Sequence, residues 1–227
     1  MPTLPPVVIP LRSFDAGKSR LSDVFSVAIR QALIEAMLAD VLAALDGAGF
    51  TDVTIAACGA HAADLAGQLQ VPFLADDDNA DGLNAALSAA CDRTADRATQ
   101  VMIVAADLPC VQADDFLAVT TCDTPVVVCP THDDGTAVMR LSLPRRFSLA
   151  YGPQSALKHH DAAAHTGLAV TVLHRDGFVR DLDTPQDLAE LIGDDAKAAT
   201  LGVNTRRVLM SQDVQGAAKI SPSGRTG

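Results

Sequence analysis

The stretch Val7-Val8-Ile9-Pro10-Leu11-Arg12-Ser13-Phe14-Asp15-Ala16-Gly17-Lys18-Ser19-Arg20-Leu21 decides the fold. The short apolar run at its start predicts a buried strand, and the spacing of apolar residues after it predicts a long helix. Between the two lie three cations, Arg12, Lys18 and Arg20, in a chain whose net charge is −11. Cations neutralise oxyanions, and a helix N-terminus adds unpaired N–H groups. The segment predicts a phosphate site after a strand; the alternative is a solvated loop.

The bulk composition is that of a soluble globular protein. The chain has 227 residues, 48% apolar and 20% charged, which is enough for one domain with a full core or two small ones. We expect no signal peptide and no membrane span, and therefore a cytoplasmic protein. The acidic balance argues against nucleic-acid binding, which needs a basic face. The five cysteines form no C-x-x-C pair, so we expect buried, reduced thiols.

Short, wholly apolar strands alternate with amphipathic helices along the chain. This pattern predicts an α/β fold: a single domain with a mostly parallel, twisted sheet and helices on both faces. The first helix is expected from Ser22, as its cap, to about Leu45. The domain is expected to span residues 1–193, followed by a tail of residues 194–227. In that tail we expect one more strand over Thr205 to Met210 and disorder beyond Gln212.

Two readings compete for Gly17-Lys18-Ser19. A P-loop (G-x-x-x-x-G-K-[ST]) would explain these three residues, with Asp107 as the acidic partner after a strand. However, its first glycine, which lets the backbone wrap phosphate, is replaced by Arg12. The other interpretation is a phosphate-binding loop that relies on its cations, Arg12, Lys18 and Arg20, and lacks the P-loop pattern. Parallel strands place Lys18 and Asp107 at the same edge of the sheet, so the two are expected to meet.

Three aspartates are candidate metal ligands. Asp107, in Ala105-Ala106-Asp107-Leu108-Pro109, ends a buried strand, where a carboxylate can hold Mg²⁺; the alternative is a turn before the proline. Asp181 and Asp183 project to one side if their segment is extended, and two like charges so close favour a cation between them. The alternative is that Asp183 and Thr184 only begin a helix, with Thr184 as its cap and Pro185 at its first position.

A fourth candidate lies in the later half of the chain. Asp134-Gly135-Thr136 precedes Tyr151-Gly152-Pro153-Gln154-Ser155, which opens a helix. Gly152 allows close backbone approach, and the Ser155 hydroxyl with nearby N–H groups can take an anion. Gly-Pro also marks an ordinary turn. His159 and His160, one turn on, are expected at the surface rather than in catalysis.

In combination these segments resemble the CofC/FbiD family, the guanylyltransferases of coenzyme F420 biosynthesis. The family lies within the larger group of nucleotidyltransferases with a GT-A-like fold. The resemblance covers roughly residues 7–192. It rests on six segments in matching order, which are Ile9-Pro10-Leu11 with Ala16-Gly17-Lys18-Ser19-Arg20-Leu21, Asp81-Gly82-Leu83-Asn84-Ala85-Ala86-Leu87, Ala106-Asp107-Leu108-Pro109, Asp134-Gly135-Thr136, Tyr151-Gly152-Pro153-Gln154-Ser155, and Asp181-Leu182-Asp183-Thr184-Pro185-Gln186-Asp187-Leu188.

The resemblance implies an activity and the residues that serve it. Members transfer GMP from GTP to 2-phospho-L-lactate, phosphoenolpyruvate or 3-phospho-D-glycerate and release pyrophosphate. It implies that Lys18 and Asp107 are catalytic and that Mg²⁺ is held by Asp107 with Asp181, Asp183 or both. Thr136, Gly152 and Ser155 would hold the acid. The nucleotide would be bound by Pro10, Leu11, Arg12, Lys18, Arg20, Gly82, Leu83, Asn84 and Asp107. The product would pass to the next enzyme of the F420 pathway.

Two departures affect the half of the site that would bind the acid. The family's usual Gly-Gly-Thr-Asn reads Asp134-Gly135-Thr136-Ala137, and its usual Phe-Gly-Pro-Gly-Ser reads Tyr151-Gly152-Pro153-Gln154-Ser155. The sequence therefore leaves the acid open, along with GTP against other nucleotides and a homodimer against other assemblies. A MobA-like guanylyl- or cytidylyltransferase is an alternative, although its opening glycine-rich loop is replaced here by Pro10-Leu11-Arg12. A catalytically idle nucleotide-binding protein is another.

Overall fold

The computed structural model describes residues 3–11, 18–57, 60–75, 82–193 and 195–211. Strands and helices alternate along these residues, as the sequence predicts. The strands are β1 (Val7–Leu11), β2 (Val53–Ala57), β3 (Phe73–Ala75), β4 (Gln100–Val104), β5 (Val126–Pro130), β6 (Thr136–Ser142) and β7 (Val170–Val172). The helices are α1 (Val27–Gly47), α2 (Ala60–Gln68), α3 (Leu83–Ala95), α4 (Ala113–Thr120), α5 (Ser155–His165), α6 (Asp176–Val179), α7 (Pro185–Ile192), α8 (Asp195–Thr200) and α9 (Val203–Leu209).

The strands form one seven-stranded sheet in the order β3-β2-β1-β4-β6-β5-β7. Neighbouring pairs are parallel except where β6 is involved, since β6 runs antiparallel to both β4 and β5. The predicted α/β fold with a mostly parallel sheet is confirmed. Because β1 and β4 are parallel neighbours, the residues that follow Leu11 and Val104 leave the sheet at the same edge.

Each face of the sheet has its own apolar core, because alternate residues of a strand point to opposite sides. Val7, Ile9 and Leu11 belong to one core, and Val8 belongs to the other. The first core is closed by helices that include α1, α4 and α9; the second is closed by α3 and α5. Because helices cover both faces of the sheet, a ligand can reach it at the ends of the strands.

Two local predictions are wrong. The cap of the first helix is Ser26 rather than Ser22: its hydroxyl accepts a hydrogen bond from the Ile29 N–H at 3.3 Å, and a short 3₁₀ helix, Ser19–Leu21, precedes it. The segment from Thr205 to Met210 is not a strand, since Val203–Leu209 forms α9.

α9 is attached to α1 by a buried carboxylate. Asp40, in the middle of α1, accepts hydrogen bonds from the backbone N–H of Asn204 at 2.9 Å and of Thr205 at 2.8 Å. The Asn204 side-chain amide donates a third at 2.9 Å. Asp40 thus satisfies N–H groups in the first turn of another helix, which a helix normally satisfies with its own cap.

The end of the chain bears on two earlier expectations. Leu201 and Leu209 are buried in the first core, so the elements beyond residue 193 contribute to it. The domain boundary at residue 193 stays a prediction, and the segment beyond Gln212, where we expect disorder, lies outside the described residues. Among the described residues, no helix is long and apolar enough to cross a membrane.

Candidate functional site

Lys18 lies between two carboxylates that come from distant parts of the chain. Its Nζ is 2.6 Å from Oδ2 of Asp107, and it also contacts Oδ1 of Asp183. Lys18 follows β1, Asp107 follows β4, and Asp183 precedes α7. The predicted meeting of Lys18 and Asp107 at one edge of the sheet is confirmed, and Asp183 joins them there.

This arrangement keeps Lys18 charged although it is buried. The Lys18 side chain is only 5% exposed. Burial alone lowers the pKa of its ammonium, but the attraction and hydrogen bonds of Asp107 and Asp183 outweigh burial, so the pKa is raised above its ordinary value. A buried cation held by two partly exposed carboxylates is suited to stabilising negative charge on a bound phosphate.

Asp183 is fixed at the start of α7 by a capping box. Thr184 accepts a hydrogen bond from the Asp187 N–H at 3.2 Å, and Asp187 Oδ2 accepts from the N–H of Thr184 at 2.7 Å. The same oxygen accepts from the Asp183 N–H at 3.0 Å. The sequence correctly predicts Thr184 and Pro185 at the start of this helix, and the cap orients the backbone at Asp183.

Asp181 belongs to a neighbouring group of polar side chains. Its Oδ1 is 3.3 Å from Nδ1 of His132, and possible ligand atoms of His132, Asp133 and Asp181 lie within 4.8 Å of one another. Burial, together with repulsion from Asp183, Asp107 and Asp133, raises the pKa of Asp181 to about 7. Oδ1 of Asp181 is buried, and apart from its contact with His132 it makes no hydrogen bond among the described residues. The position therefore favours a cation.

One cleft of about 380 Å³ brings many of the predicted site residues together. It is lined by Pro10, Leu11, Lys18, Ile34, Leu83, Ala105, Ala106, Asp107, Thr136, Tyr151 and Asp183. Residues expected to bind nucleotide thus share one cavity with Thr136, which is expected to bind the acid. Arg20 is exposed on the 3₁₀ helix, and Arg12 lies outside the described residues.

Thr136, Ser155 and His159 form a buried chain of hydrogen bonds beside this cleft. Thr136 Oγ1 is 2.8 Å from Ser155 Oγ and 3.1 Å from His159 Nδ1. On its other side the imidazole accepts a hydrogen bond from the Ala150 N–H at Nε2, at 2.9 Å. The expectation of a surface position is wrong for His159, which is fully buried, because its ring packs on Tyr151 with 4.7 Å between the ring centroids.

The start of α5 differs from the expected anion site in one respect. The Ser155 N–H donates to the Gly152 carbonyl at 3.1 Å, and the Ala156 N–H donates to the Asp134 carbonyl at 3.1 Å. Two of the helix's first amides therefore have partners within the protein. Gly152 has a φ of +133° and open space where a Cβ would lie, so a ligand can approach its backbone closely.

Asn84 contacts the loop before α5 rather than the open cleft. Its Nδ2 donates to the Tyr151 carbonyl at 3.1 Å, and its Oδ1 accepts from the Tyr151 N–H at 2.7 Å. Gly82, which precedes α3, has a φ of +88° and open space at its Cβ position. The turn at the start of α3, expected to face the nucleoside, is thus joined to the loop expected to hold the acid.

Comparison with known proteins identifies the family. A family model for CofC-like guanylyl transferases matches residues 6–211. The chain belongs to this CofC family. The CofC match extends past residue 193, where the sequence resemblance ends, and includes α8 and α9.

Curated relatives of this CofC protein carry three different acids in their names. Phosphoenolpyruvate guanylyltransferase of Roseiflexus castenholzii is 32% identical, over 81% of this chain and 86% of the relative. 3-Phospho-D-glycerate guanylyltransferase of Phenylobacterium zucineum is 31% identical, over 81% and 88%. 2-Phospho-L-lactate guanylyltransferase of Methanosarcina acetivorans is 30% identical, over 82% and 85%.

Solved structures share the fold of the CofC chain at low sequence identity. A Desulfovibrio desulfuricans G20 protein described as a nucleotide-diphospho-sugar transferase has a TM-score of 0.67 at 16% identity, over 96% of this chain and 98% of its own. A Mycobacterium tuberculosis protein solved in complex with manganese has a TM-score of 0.53 at 20% identity, over 84% and 100%.

Sequence reasoning missed two contributors to the site of this CofC protein. His159 was expected at the surface, although its spacing of four from Ser155 places both on one face of a helix. That spacing could have indicated that His159 lies on the same side of the helix as Ser155, where both contact Thr136. His132, beside Asp181, stands in a turn without a distinguishing pattern, so only the fold reveals it.

Proposed function

We propose that this protein transfers GMP from GTP to a small phosphorylated acid and releases pyrophosphate, as a step of coenzyme F420 biosynthesis. Membership of the CofC family supports the reaction class, and the names of the relatives support the acceptor class. The observation that carries the proposal in this chain is the buried Lys18 ammonium between Asp107 and Asp183, in the cleft that Thr136 also lines.

The reaction is a single displacement at phosphorus. A phosphate oxygen of the acid attacks the α-phosphorus of GTP, a new P–O bond forms, and the bond to the β-phosphate oxygen breaks as pyrophosphate leaves. The attacking phosphate is already anionic, so no strong base is required. What the protein must supply is alignment of two anions that repel each other, and positive charge where the transition state gathers negative charge.

The predicted site residues in and beside the cleft divide between the nucleotide and the acid in this scheme. Lys18 contacts phosphate oxygens of the nucleotide, and Asp107 and Asp183 keep the ammonium charged and in place. Pro10, Leu11 and Leu83 supply the wall on the nucleotide side. Thr136, Gly152 and Ser155 hold the acid on the other side.

The acidic residues fit a hard divalent cation such as Mg²⁺. Asp107, Asp181 and Asp183 offer carboxylate oxygens, the ligand type that Mg²⁺ prefers. The buried Oδ1 of Asp181, which makes no hydrogen bond among the described residues, and the raised pKa of its carboxyl support a cation at this position. When bound, Mg²⁺ neutralises phosphate charge; Asp107, with Asp181 or Asp183, would hold it.

The decisive experiment incubates the protein and Mg²⁺ with each of GTP, ATP, CTP and UTP against each of the three acids. Mass spectrometry reads the adduct, and a coupled assay reads pyrophosphate. A mass equal to the acid plus a guanylyl group (GMP less one water), with an equal amount of pyrophosphate, is expected for GTP and at least one acid. Nucleotide binding without pyrophosphate release would instead indicate an idle nucleotide-binding protein. Transfer of another nucleotide, or transfer only to a different acceptor, would indicate a MobA-like activity.

A further inference from the structure

The hydrogen bonds around His159 fix which of its nitrogens carries the proton. The Ala150 backbone N–H can only donate, so Nε2 of His159, at 2.9 Å, must accept with its lone pair. In a neutral imidazole the hydrogen then sits on Nδ1. Burial, together with the charge of Lys158, lowers the pKa of His159 to about 4, so the ring is neutral near pH 7.

That tautomer determines what Thr136 can do. The Nδ1–H of His159 points at Thr136 Oγ1, 3.1 Å away, and occupies one of its lone pairs. The Thr136 hydroxyl hydrogen therefore cannot be given to the imidazole. Thr136 and Ser155, whose oxygens are 2.8 Å apart, share one further hydrogen bond.

A count of hydrogens shows the consequence. Nδ1–H and the two hydroxyls provide three hydrogens, and the two bonds of the chain use two of them. One hydroxyl hydrogen, on Thr136 or on Ser155, is left to donate outside the group. With the opposite tautomer, Thr136 would donate to the imidazole and Ser155 to Thr136, and neither hydroxyl would have a hydrogen for a ligand.

We infer that His159 is a positioning residue of the acid subsite: held by the Ala150 N–H, it keeps the Thr136–Ser155 pair set as a donor to an anionic acceptor. Thr136 lines the cleft and Ser155 does not, so the hydrogen is within reach of a ligand when Ser155 donates to Thr136 and Thr136 keeps the free hydrogen. The inference rests on the proposed function, since it assumes that the acid binds at Thr136 and Ser155. It explains why a buried imidazole stands behind two hydroxyls without touching the substrate.

Two variants separate this role from simple packing. In His159→Asn the side-chain amide can occupy the place of Nδ1 and still donate a hydrogen bond to Thr136. In His159→Gln the longer side chain reaches the place of Nε2, where its amide oxygen accepts from the Ala150 N–H and no donor faces Thr136. Both variants lose the ring, so both share the packing cost. We expect His159→Gln to raise the KM for the acid at least about 10-fold above that of His159→Asn, with the KM for GTP unchanged in both. Equal KM values for the acid in the two variants, or a parallel rise in the KM for GTP, would overturn the inference.

A second measurement does not depend on the variants folding. Long-range ¹H–¹⁵N correlation spectra of the ¹⁵N-labelled wild-type protein report the tautomer of each imidazole, and His159 is assigned by its ring contact with Tyr151, the one tyrosine of the chain. Protonated Nδ1 with unprotonated Nε2 is expected, and the reverse would overturn the inference. Failure of the proposed function looks different, because the wild-type protein would then release no pyrophosphate with any of the three acids.

Discussion

The side-chain amide of Asn84 pairs with both backbone polar groups of Tyr151, donating to the carbonyl at 3.1 Å and accepting from the N–H at 2.7 Å. The pairing joins the start of α3 to the loop that precedes α5. Residues at the start of α3 are proposed to bind the nucleotide, and residues of the loop before α5 to bind the acid. The pairing therefore links the positions of the two subsites.

The first prediction tests this link. Asn84→Ala removes both hydrogen bonds and frees the Tyr151 loop, so the KM for the acid should rise about 5-fold or more, by the usual strength of such bonds. Steady-state kinetics with the acid varied at saturating GTP checks it. Ser88→Ala, on the same helix, is the matched control and should behave as wild type. A normal KM for the acid in Asn84→Ala would mean that the loop keeps its position without Asn84.

The second prediction concerns Asp107. Asp107→Asn replaces a charged ligand by a neutral amide, which is a poor partner for both Lys18 and a hard cation, so transfer should nearly cease while the fold persists. Pyrophosphate release and thermal melting measured on the same sample provide the check. The exposed Asp114→Asn on α4 is the control. Activity within a few-fold of wild type, at an unchanged melting temperature, would exclude Asp107 from the reaction.

The third prediction concerns the charge and shape of Lys18. Lys18→Ala should lower kcat on the order of 100-fold or more, because a buried donor to the developing charge is lost. Lys18→Arg should restore only part, since a planar guanidinium does not fit between two carboxylates placed around an ammonium. Single-turnover rates at saturating substrates measure this directly. If Lys18→Ala turned over normally, the contact with Asp107 and Asp183 would serve the fold alone.

The fourth prediction is a dependence of stability on pH through Asp181. Its pKa is about 7 in the folded protein against an ordinary value of 3.8, so between these pH values the folded protein holds a proton that the unfolded chain has released. The contribution of Asp181 to stability therefore falls as pH rises through this window. Asp181→Asn removes the cost of ionisation and should stabilise the metal-free protein by about 2–4 kcal/mol near pH 8, with no gain near pH 4.

Denaturant unfolding in EDTA at the two pH values measures this difference. Added Mg²⁺ should stabilise the wild-type protein more than Asp181→Asn, because only the former offers the carboxylate. An Asp181→Asn protein that is less stable than wild type near pH 8 without metal would contradict the assigned electrostatics.

The fifth prediction concerns the attachment of α9. Asp40→Ala leaves two backbone N–H groups and the Asn204 amide without their acceptor, and should lower the free energy of unfolding by about 2–4 kcal/mol. Urea unfolding provides the value. The exposed Asp46→Ala near the end of the same helix should change it little. A similar small effect for Asp40→Ala would show that apolar contacts alone hold α9.

The parts of the fold that follow from local pattern could be predicted from the sequence. Apolar runs such as Val101 to Val104 define buried strands, and Thr184 with Pro185 defines the start of a helix. The strand predicted over Thr205 to Met210 failed because that apolar pattern is short. The first turn of the helix that forms there is capped by Asp40, 164 residues from Asn204, which no local window contains.

Some contacts of the candidate site could likewise be predicted from the sequence, and others could not. Parallel strands bring their ends to one edge, so the meeting of Lys18 with Asp107 follows from topology alone. The pairing of Asn84 with the Tyr151 backbone and the burial of His159 depend on how two helices pack on the same face of the sheet. Side-chain packing of that kind is not encoded in spacing along the chain.

The carboxylate of Asp40 also sets an order of events during synthesis. Helix α1 leaves the ribosome long before Asn204 and Thr205 exist, and until then its buried position would hold a charge without donors. We therefore expect this part of α1 to stay exposed to water while the earlier strands assemble. Among the described helices α9 is made last, so we expect this layer to complete its folding only after nearly all the described chain has been translated.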